Sequence, residues 1–146
     1  MTATTVLGFD YGSRRIGVAV GNALTRSARA LAIVANGAQG PDWARVEALL
    51  REWRPEILLV GLPLTMDGTE QATSRAARAF ATALAERCAQ PVELVDERLT
   101  SREASHRFAE RRARGETRRR HAEVLDAVAA EIIIETWLAA QAPGSR

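Results

Sequence analysis

Residues 6–20 read VLGFDYGSRRIGVAV, and this stretch decides the fold. Val6 to Phe9 is an apolar run that ends on a carboxylate, Asp10. Tyr11–Gly12–Ser13 is a turn signal, and Ile16 to Val20 resumes the apolar pattern. The two runs therefore read as a β-hairpin. A carboxylate that closes an apolar strand just before a glycine turn stands at a strand end, where α/β sheets bind their ligands.

Working outward, Ala30 to Val34 reads as a weaker third strand, followed by a loop at Asn36–Gly37 and Gly40–Pro41. Trp43, Val46, Leu49, Leu50 and Trp53 fall at helical spacing. Ile57 to Val60 is a continuous apolar run, as in a strand covered on both faces. Gly61 to Thr69 reads as a loop, with Thr69 placed to cap a helix whose stripe is Ala77, Phe80, Leu84 and Cys88. Val92 to Asp96 is a fifth strand. Thr100–Ser101–Arg102–Glu103 matches a capping box for a third helix, which Gly115 breaks. A last helix is expected from about Ala122 to Ala140. The order β-β-β-α-β-α-β-α-α predicts an α/β fold, a five-stranded mixed sheet with helices on both faces. Residues 1–146 read as a single domain, frayed at about 1–4 and 141–146.

Composition narrows the function. The chain is 47% hydrophobic and 26% charged, as in an ordinary globular protein. No apolar run approaches the ~20 residues that span a bilayer, and the start lacks a signal-peptide pattern, so a cytoplasmic protein without a membrane partner is expected. Cys88 is the single cysteine, which excludes an intrachain disulfide and a cysteine metal cluster, and it reads as a small buried hydrophobe. Every basic residue other than the two histidines is arginine. Residues 98–120 hold nine arginines against Glu103, Glu110 and Glu116, a local +6 that leaves −4 for the rest of a chain of net charge +2. Guanidinium groups suit bidentate phosphate contacts.

Of 18 acidic residues, most must be solvated surface, so position separates the candidates. Asp10 and Glu97 end strands. Asp96 competes with Glu97, because alternation lets only one of two neighbours face a given side of a sheet. Asp126 shares a helix side with Ala130, Ile133 and Trp137, while Glu123, Glu131 and Glu135 project to a face expected to be solvated. A carboxylate on an apolar helix face is costly unless paired or metal-bound; a salt bridge to arginine is the competing explanation. Asp10, Glu97 and Asp126 together suggest a site for a hard cation, Mg²⁺ or Mn²⁺, suited to phosphodiester hydrolysis.

Four segments then resemble one family in order and spacing: residues 8–19 (GFDYGSRRIGVA), 61–70 (GLPLTMDGTE), 96–104 (DERLTSREA) and 125–130 (LDAVAA). They resemble the YqgF/RuvX family, across about Val6 to Leu138. The resemblance implies an RNase H-like fold, Asp10, Glu97 and Asp126 as the acidic triad, and divalent-metal cleavage of phosphodiester bonds. The role usually assigned to the family is processing of the 5′ end of precursor 16S rRNA in ribosome biogenesis; an older assignment is Holliday junction resolution. Many RNase H-like nucleases carry an acid at the end of the fourth strand. Here that strand runs into Gly61–Leu62–Pro63, so the second ligand is expected from the fifth strand, as Glu97. At Thr65 the family more often has asparagine.

Arg14, Arg15, Arg98, Arg118, Arg119 and Arg120 are the candidate nucleic-acid contacts, the last three in a loop before the final helix, with solvated surface as the competing explanation. His121 reads as an ordinary helix-start histidine, and Asp67, Thr69 and Glu70 either shape a substrate loop or cap a helix. A catalytically inactive nucleic-acid-binding module is the alternative from another class. Asp10-x-Gly12 also resembles the phosphate loop of actin-like ATPases, which need two such domains. Junction cutting needs a symmetric dimer, and the sequence shows no interface that chooses monomer or homodimer.

Overall fold

The hairpin forms and extends beyond its apolar runs. Strands β1 (Thr5–Tyr11) and β2 (Arg15–Asn22) pair antiparallel, with Gly8 opposite Ala19 and Asp10 opposite Gly17. Asn22 then turns the chain: its side-chain oxygen accepts from the amides of Leu24 and Thr25, at 2.9 and 3.0 Å. Strand β3 (Ser27–Ala35) returns antiparallel along β2 and is longer than the apolar pattern alone marks. The computed structural model describes residues 4–99 and 118–141, the side chains of Leu99 and residues 118–126 excepted.

Helix α1 (Trp43–Trp53) starts at Asp42, whose carboxylate accepts from the Arg45 amide, and ends at Arg54 in a left-handed conformation. Strand β4 (Ile57–Leu62) runs parallel to β1, and β5 (Val92–Asp96) parallel to β4, so the sheet order is β3-β2-β1-β4-β5. Between them lies α2 (Ala72–Cys88). Its cap is Gln71 rather than Thr69, because Ser74 bonds back to the Gln71 amide while Thr69 is taken up in the preceding turn. Cys88 is half-buried and donates to the Leu84 carbonyl; burial pushes its thiol pKa up. The expected helix after Thr100 lies outside the described residues.

The last helix, α3 (Arg118–Ala140), begins earlier than expected, so Arg118 to Arg120 form its first turn and not a loop. Arginine is a good helix former, and no glycine or proline intervenes before Ala122. Nor is the projected acidic face fully solvated: Glu131 is only 6% exposed. The helix lies against all five strands and buries more than a narrow stripe. Among the described residues, no helix is long and apolar enough to cross a membrane.

Strand alternation sorts the sheet into two faces. Leu7, Phe9, Val18, Leu58 and Val60 pack with Val46 and Leu49 of α1 and Ala77, Phe80 and Leu84 of α2. Val6, Ala19, Leu59 and Val95 pack with Ala130, Ile133, Ile134 and Leu138 of α3. Every second residue shares a face, so Gly8, Gly21 and Gly61 fall under α3 with Val6, Ala19 and Leu59. A Cβ on Gly8 would stand 2.7 Å from Ile134 Cγ1, and one on Gly21 2.7 Å from Ile134 Cγ2. The helix therefore seats on bare backbone.

Candidate functional site

Asp10 follows Val6 and Gly8 at period two and so belongs to the α3 face of β1, at its carboxyl end. β5 applies the same rule. Val95 packs under α3, and Glu93 accepts from the Trp137 indole of α3 at 3.0 Å. Asp96 is therefore on the opposite face. Its Oδ1 accepts from the Arg98 amide at 2.9 Å, and its Oδ2 from the Arg98 guanidinium at 2.6 Å. The hydrogen-bonded guanidinium holds the Asp96 carboxyl below its usual range.

Glu97 opens a single 3-10 turn, Glu97–Leu99, and its side chain comes back onto the α3 face. Its Oε2 occupies the place where a side chain on Gly61 would stand, beside Ile133. Gly61 is in β4, the strand between β5 and β1. The Glu97 carboxylate thus leans across β4 in the direction of the β1 strand that carries Asp10. It is half-buried; burial, and secondarily the neighbouring Asp96 charge, push its pKa up. An anion placed where burial disfavours its charge is a poor structural element and a good partner for a cation.

Gly61 is the residue that sequence reasoning misplaced. It lies within β4, one residue before the strand ends, and does not begin the loop, and a glycine inside an apolar run is itself the signal of a close approach. The loop that follows is tied down. The Thr65 hydroxyl donates to Asp67 and accepts from the Thr69 amide at 3.0 Å, and Thr69 also donates to Asp67 at 3.1 Å. These bonds lower the Asp67 pKa to about 2. Asp67 and Thr69 therefore hold the loop, and Glu70 pairs with Arg78. Arg98 reaches the same loop, donating to the Met66 carbonyl at 3.2 Å. It is exposed, but its guanidinium is committed to Asp96 and this carbonyl.

The other expected residues distribute as follows. Arg14 is exposed in the β1–β2 turn and Arg15, half-buried, opens β2. Asn36 closes this turn, donating to the Gly12 carbonyl at 2.7 Å. Asp126 lies within α3, one turn before Ala130; its side chain, like those of Arg118, Arg119, Arg120 and His121, is outside the description. Among the described residues Asp10 and Glu97 are the carboxylates brought to the α3 face of this edge, and no cluster of three acidic, histidine or cysteine side chains forms a metal site.

Comparison with known proteins adds three findings. Residues 4–140 match the family model described as "RuvX: Holliday junction resolvase". A protein of Xanthomonas axonopodis pv. citri named "Putative pre-16S rRNA nuclease" is 57% identical over 136 residues, covering 93% of this chain and 88% of its own length. A Xanthomonas oryzae pv. oryzae protein of the same name matches at the same identity and coverage. Among solved structures, Thermus thermophilus RuvC in complex with a Holliday junction substrate superposes with a TM-score of 0.61 at 21% identity, covering 94% of this chain and 96% of its own. Fowlpox virus resolvase with Holliday junction DNA gives 0.54 at 9% identity, covering 96% and 100%. These likenesses show the fold, which is RNase H-like, as the sequence resemblance implies.

Proposed function

The chain belongs to the RuvX family, and from that premise we propose that it is a metal-dependent endonuclease that processes the 5′ end of precursor 16S rRNA. The observation that carries the site is the placement of the Glu97 carboxylate above Gly61, on the face and at the edge where β1 presents Asp10. Residues 1–146 are read as one nuclease domain.

Asp126 is the third member in this reading, supported by helical register. Ala130 carries the carbonyl that lies 3.3 Å from a Cβ built on Gly8. Four residues of helix advance about 6 Å, and two residues of strand, Gly8 to Asp10, about 6.6 Å. C-terminal to Ile134, α3 reaches the β2–β3 turn, where Arg26 donates to the Leu138 carbonyl at 2.8 Å. N-terminal to Ala130 it therefore runs the other way, along β1 toward Asp10.

Asp10, Glu97 and Asp126 would hold Mg²⁺ or Mn²⁺. The donor set fits: all are hard oxygen ligands, and the half-buried Glu97 gains from a cation what burial takes from its charge. When bound, the ion supplies Lewis-acid charge for hydrolysis of a phosphodiester. The chain's own residues position it. Gly61 keeps β4 from filling the site, Ile133 walls it on the α3 side, and Asp96 and Arg98 fix the turn that delivers Glu97. Arg14, Arg15 and the first turn of α3 supply phosphate contacts without sequence preference.

The test is purified protein with labelled precursor 16S leader RNA and with a four-way DNA junction, in Mg²⁺ or Mn²⁺. Cleavage of the RNA, lost in Asp10→Asn, upholds the reading. Cleavage of the junction alone, the activity in the family's description, replaces it with the resolvase reading. Metal-dependent binding without cleavage of either replaces it with an inactive binding module.

A further inference from the structure

Glu97 stands in a weak place for a side chain that must be held. It opens a 3-10 turn of three residues, a form used only in short pieces. The turn follows β5, an outer strand of the sheet. What fixes it comes from the next residue. The Arg98 guanidinium joins two separate segments. Toward β5, its Nε donates to both Asp96 oxygens at 3.1 Å and its Nη2 donates to Oδ2 at 2.6 Å. Toward β4, its Nη1 donates to the Met66 carbonyl at 3.2 Å. Met66 belongs to the loop that leaves β4, the strand whose Gly61 receives the Glu97 carboxylate.

The loop end of this bridge is itself braced. The Gly68 amide donates to the Thr65 carbonyl at 2.9 Å, and the Thr65 amide to the Thr69 carbonyl at 3.1 Å. The Thr65 hydroxyl, the Asp67 carboxylate and the Thr69 amide close the turn between them. At the base of the loop, the Ser74 hydroxyl of α2 donates to the Pro63 carbonyl. Gly68 takes a left-handed φ of +88°, which glycine adopts without strain. A Cβ there would stand 3.4 Å from Arg98 Nη1, so glycine also leaves room for the guanidinium.

We propose that Arg98 is a positioning residue: it ties Glu97 to the braced 65–69 turn and thereby sets the affinity of the acidic site for its divalent cation. The inference rests on the metal-site reading of Glu97 and goes beyond it in giving the 65–69 turn a part in metal binding. Arginine suits the task because its planar fork serves two partners at once in fixed geometry, which a lysine ammonium does not. Charge and bracket act with opposite signs here. A guanidinium near a cation site repels the cation, so an Arg98 acting through charge alone would tighten metal binding when removed. A bracket weakens metal binding when removed.

The probe is Mn²⁺, titrated into the metal-free protein without RNA and followed by electron paramagnetic resonance. Arg98→Ala should raise the Mn²⁺ Kd about tenfold, the low end of what the partners of metal ligands contribute. Arg98→Lys should also weaken binding, although it keeps the charge. Thr65→Val removes the hydroxyl from the turn and keeps the side-chain shape. It should weaken binding by less than Arg98→Ala does, and should add nothing in the Arg98→Ala background, where the connection is already cut. Unchanged or tighter binding in any single variant, or an undiminished Thr65→Val effect in the Arg98→Ala background, overturns the bracket. If wild type binds no Mn²⁺, the metal-site reading fails instead, and hydrogen exchange of the metal-free protein decides the bracket. The Arg98 amide, which donates to Asp96 at 2.9 Å, should then exchange faster in Thr65→Val than in wild type, and equal exchange overturns the proposal.

Discussion

Replacing Gly61 by alanine adds one methyl group at the point where three parts of the site meet. The new Cβ would stand 2.5 Å from Ile133 Cδ1 and 3.1 Å from Cγ1, and would overlap the Glu97 carboxylate. The closer Ile133 approach is roughly 1 Å short of an ordinary van der Waals separation. Overpacking of this kind costs about 1–3 kcal/mol, offset by about 0.5–1 kcal/mol because alanine loses less chain entropy than glycine in a strand. From the middle of each range the net is a loss of about 1 kcal/mol, or roughly 2–4 °C in Tm for a chain of this size. Gly21→Ala is the matched control. Its Cβ would stand 2.7 Å from Ile134 Cγ2 and 2.9 Å from the Ser27 carbonyl, on the same helix but away from Glu97. Both variants should melt several degrees below wild type. Assayed well below either Tm, Gly21→Ala should retain cleavage, while Gly61→Ala should lose at least about tenfold in kcat, equivalent to 1.4 kcal/mol of barrier. Full activity in a destabilised Gly61→Ala would refute the claim that Glu97 works from above β4. An unchanged melt would refute the close seat of α3.

Asp10→Asn should abolish metal-dependent cleavage with a melt equal to or above wild type, since the charge serves the ion and not the core; wild-type turnover would sink the assignment. Glu97→Gln should also be inactive. Because the folded pKa of Glu97 is raised, its ionised form costs stability at neutral pH, and that cost lifts as pH falls through the raised value. The Tm advantage of Glu97→Gln without metal should therefore be largest near pH 7 and vanish below the ordinary value of 4.5, as melts across pH will show. Asp96→Asn should keep cleaving and lose up to about 1 kcal/mol, the worth of a partly exposed ion pair; its contribution is present above pH 3.8 and fades as pH falls through the lowered folded pKa. A dead Asp96→Asn beside an active Glu97→Gln would mean the strand register is read wrongly by one residue. Changing Arg118, Arg119 and Arg120 together to alanine should lower the log–log salt slope of RNA binding by about 1 for each phosphate these side chains neutralise, and an unchanged slope would leave them as solvated surface.

The strands were legible because period two is strict. Val95 under α3 forces Asp96 away, and the turn at Glu97 then restores the next carboxylate to the site face, so the choice between the two acids follows from alternation and the family motif together. Gly61 was harder, because glycine in a sequence signals both a turn and a close approach, and only the helix above it distinguishes the two. Glu131 shows a different limit of pattern. A helical projection gives the direction of a side chain but not the width of the surface it meets. α3 meets all five strands, so a carboxylate projected outward is covered. Thr69 had a capping residue's chemistry but was taken up in the Thr65–Asp67 turn, leaving the cap to Gln71.

The bare floor beneath α3 makes the two sides of the sheet unequal as material for redesign. On the α1–α2 side, Leu7, Phe9, Leu58 and Val60 meet other side chains, and such pairings can be exchanged in complementary sets while total volume is kept. On the α3 side, Gly8, Gly21 and Gly61 meet Ile133 and Ile134 with no side chain of their own to trim. A larger residue there must push aside Ile133, Ile134 or the helix that carries them, and the same helix carries Asp126. The half that carries the proposed site should therefore resist repacking, while the opposite layer can be rewritten, or grafted from another protein of the same topology, with that site left in place.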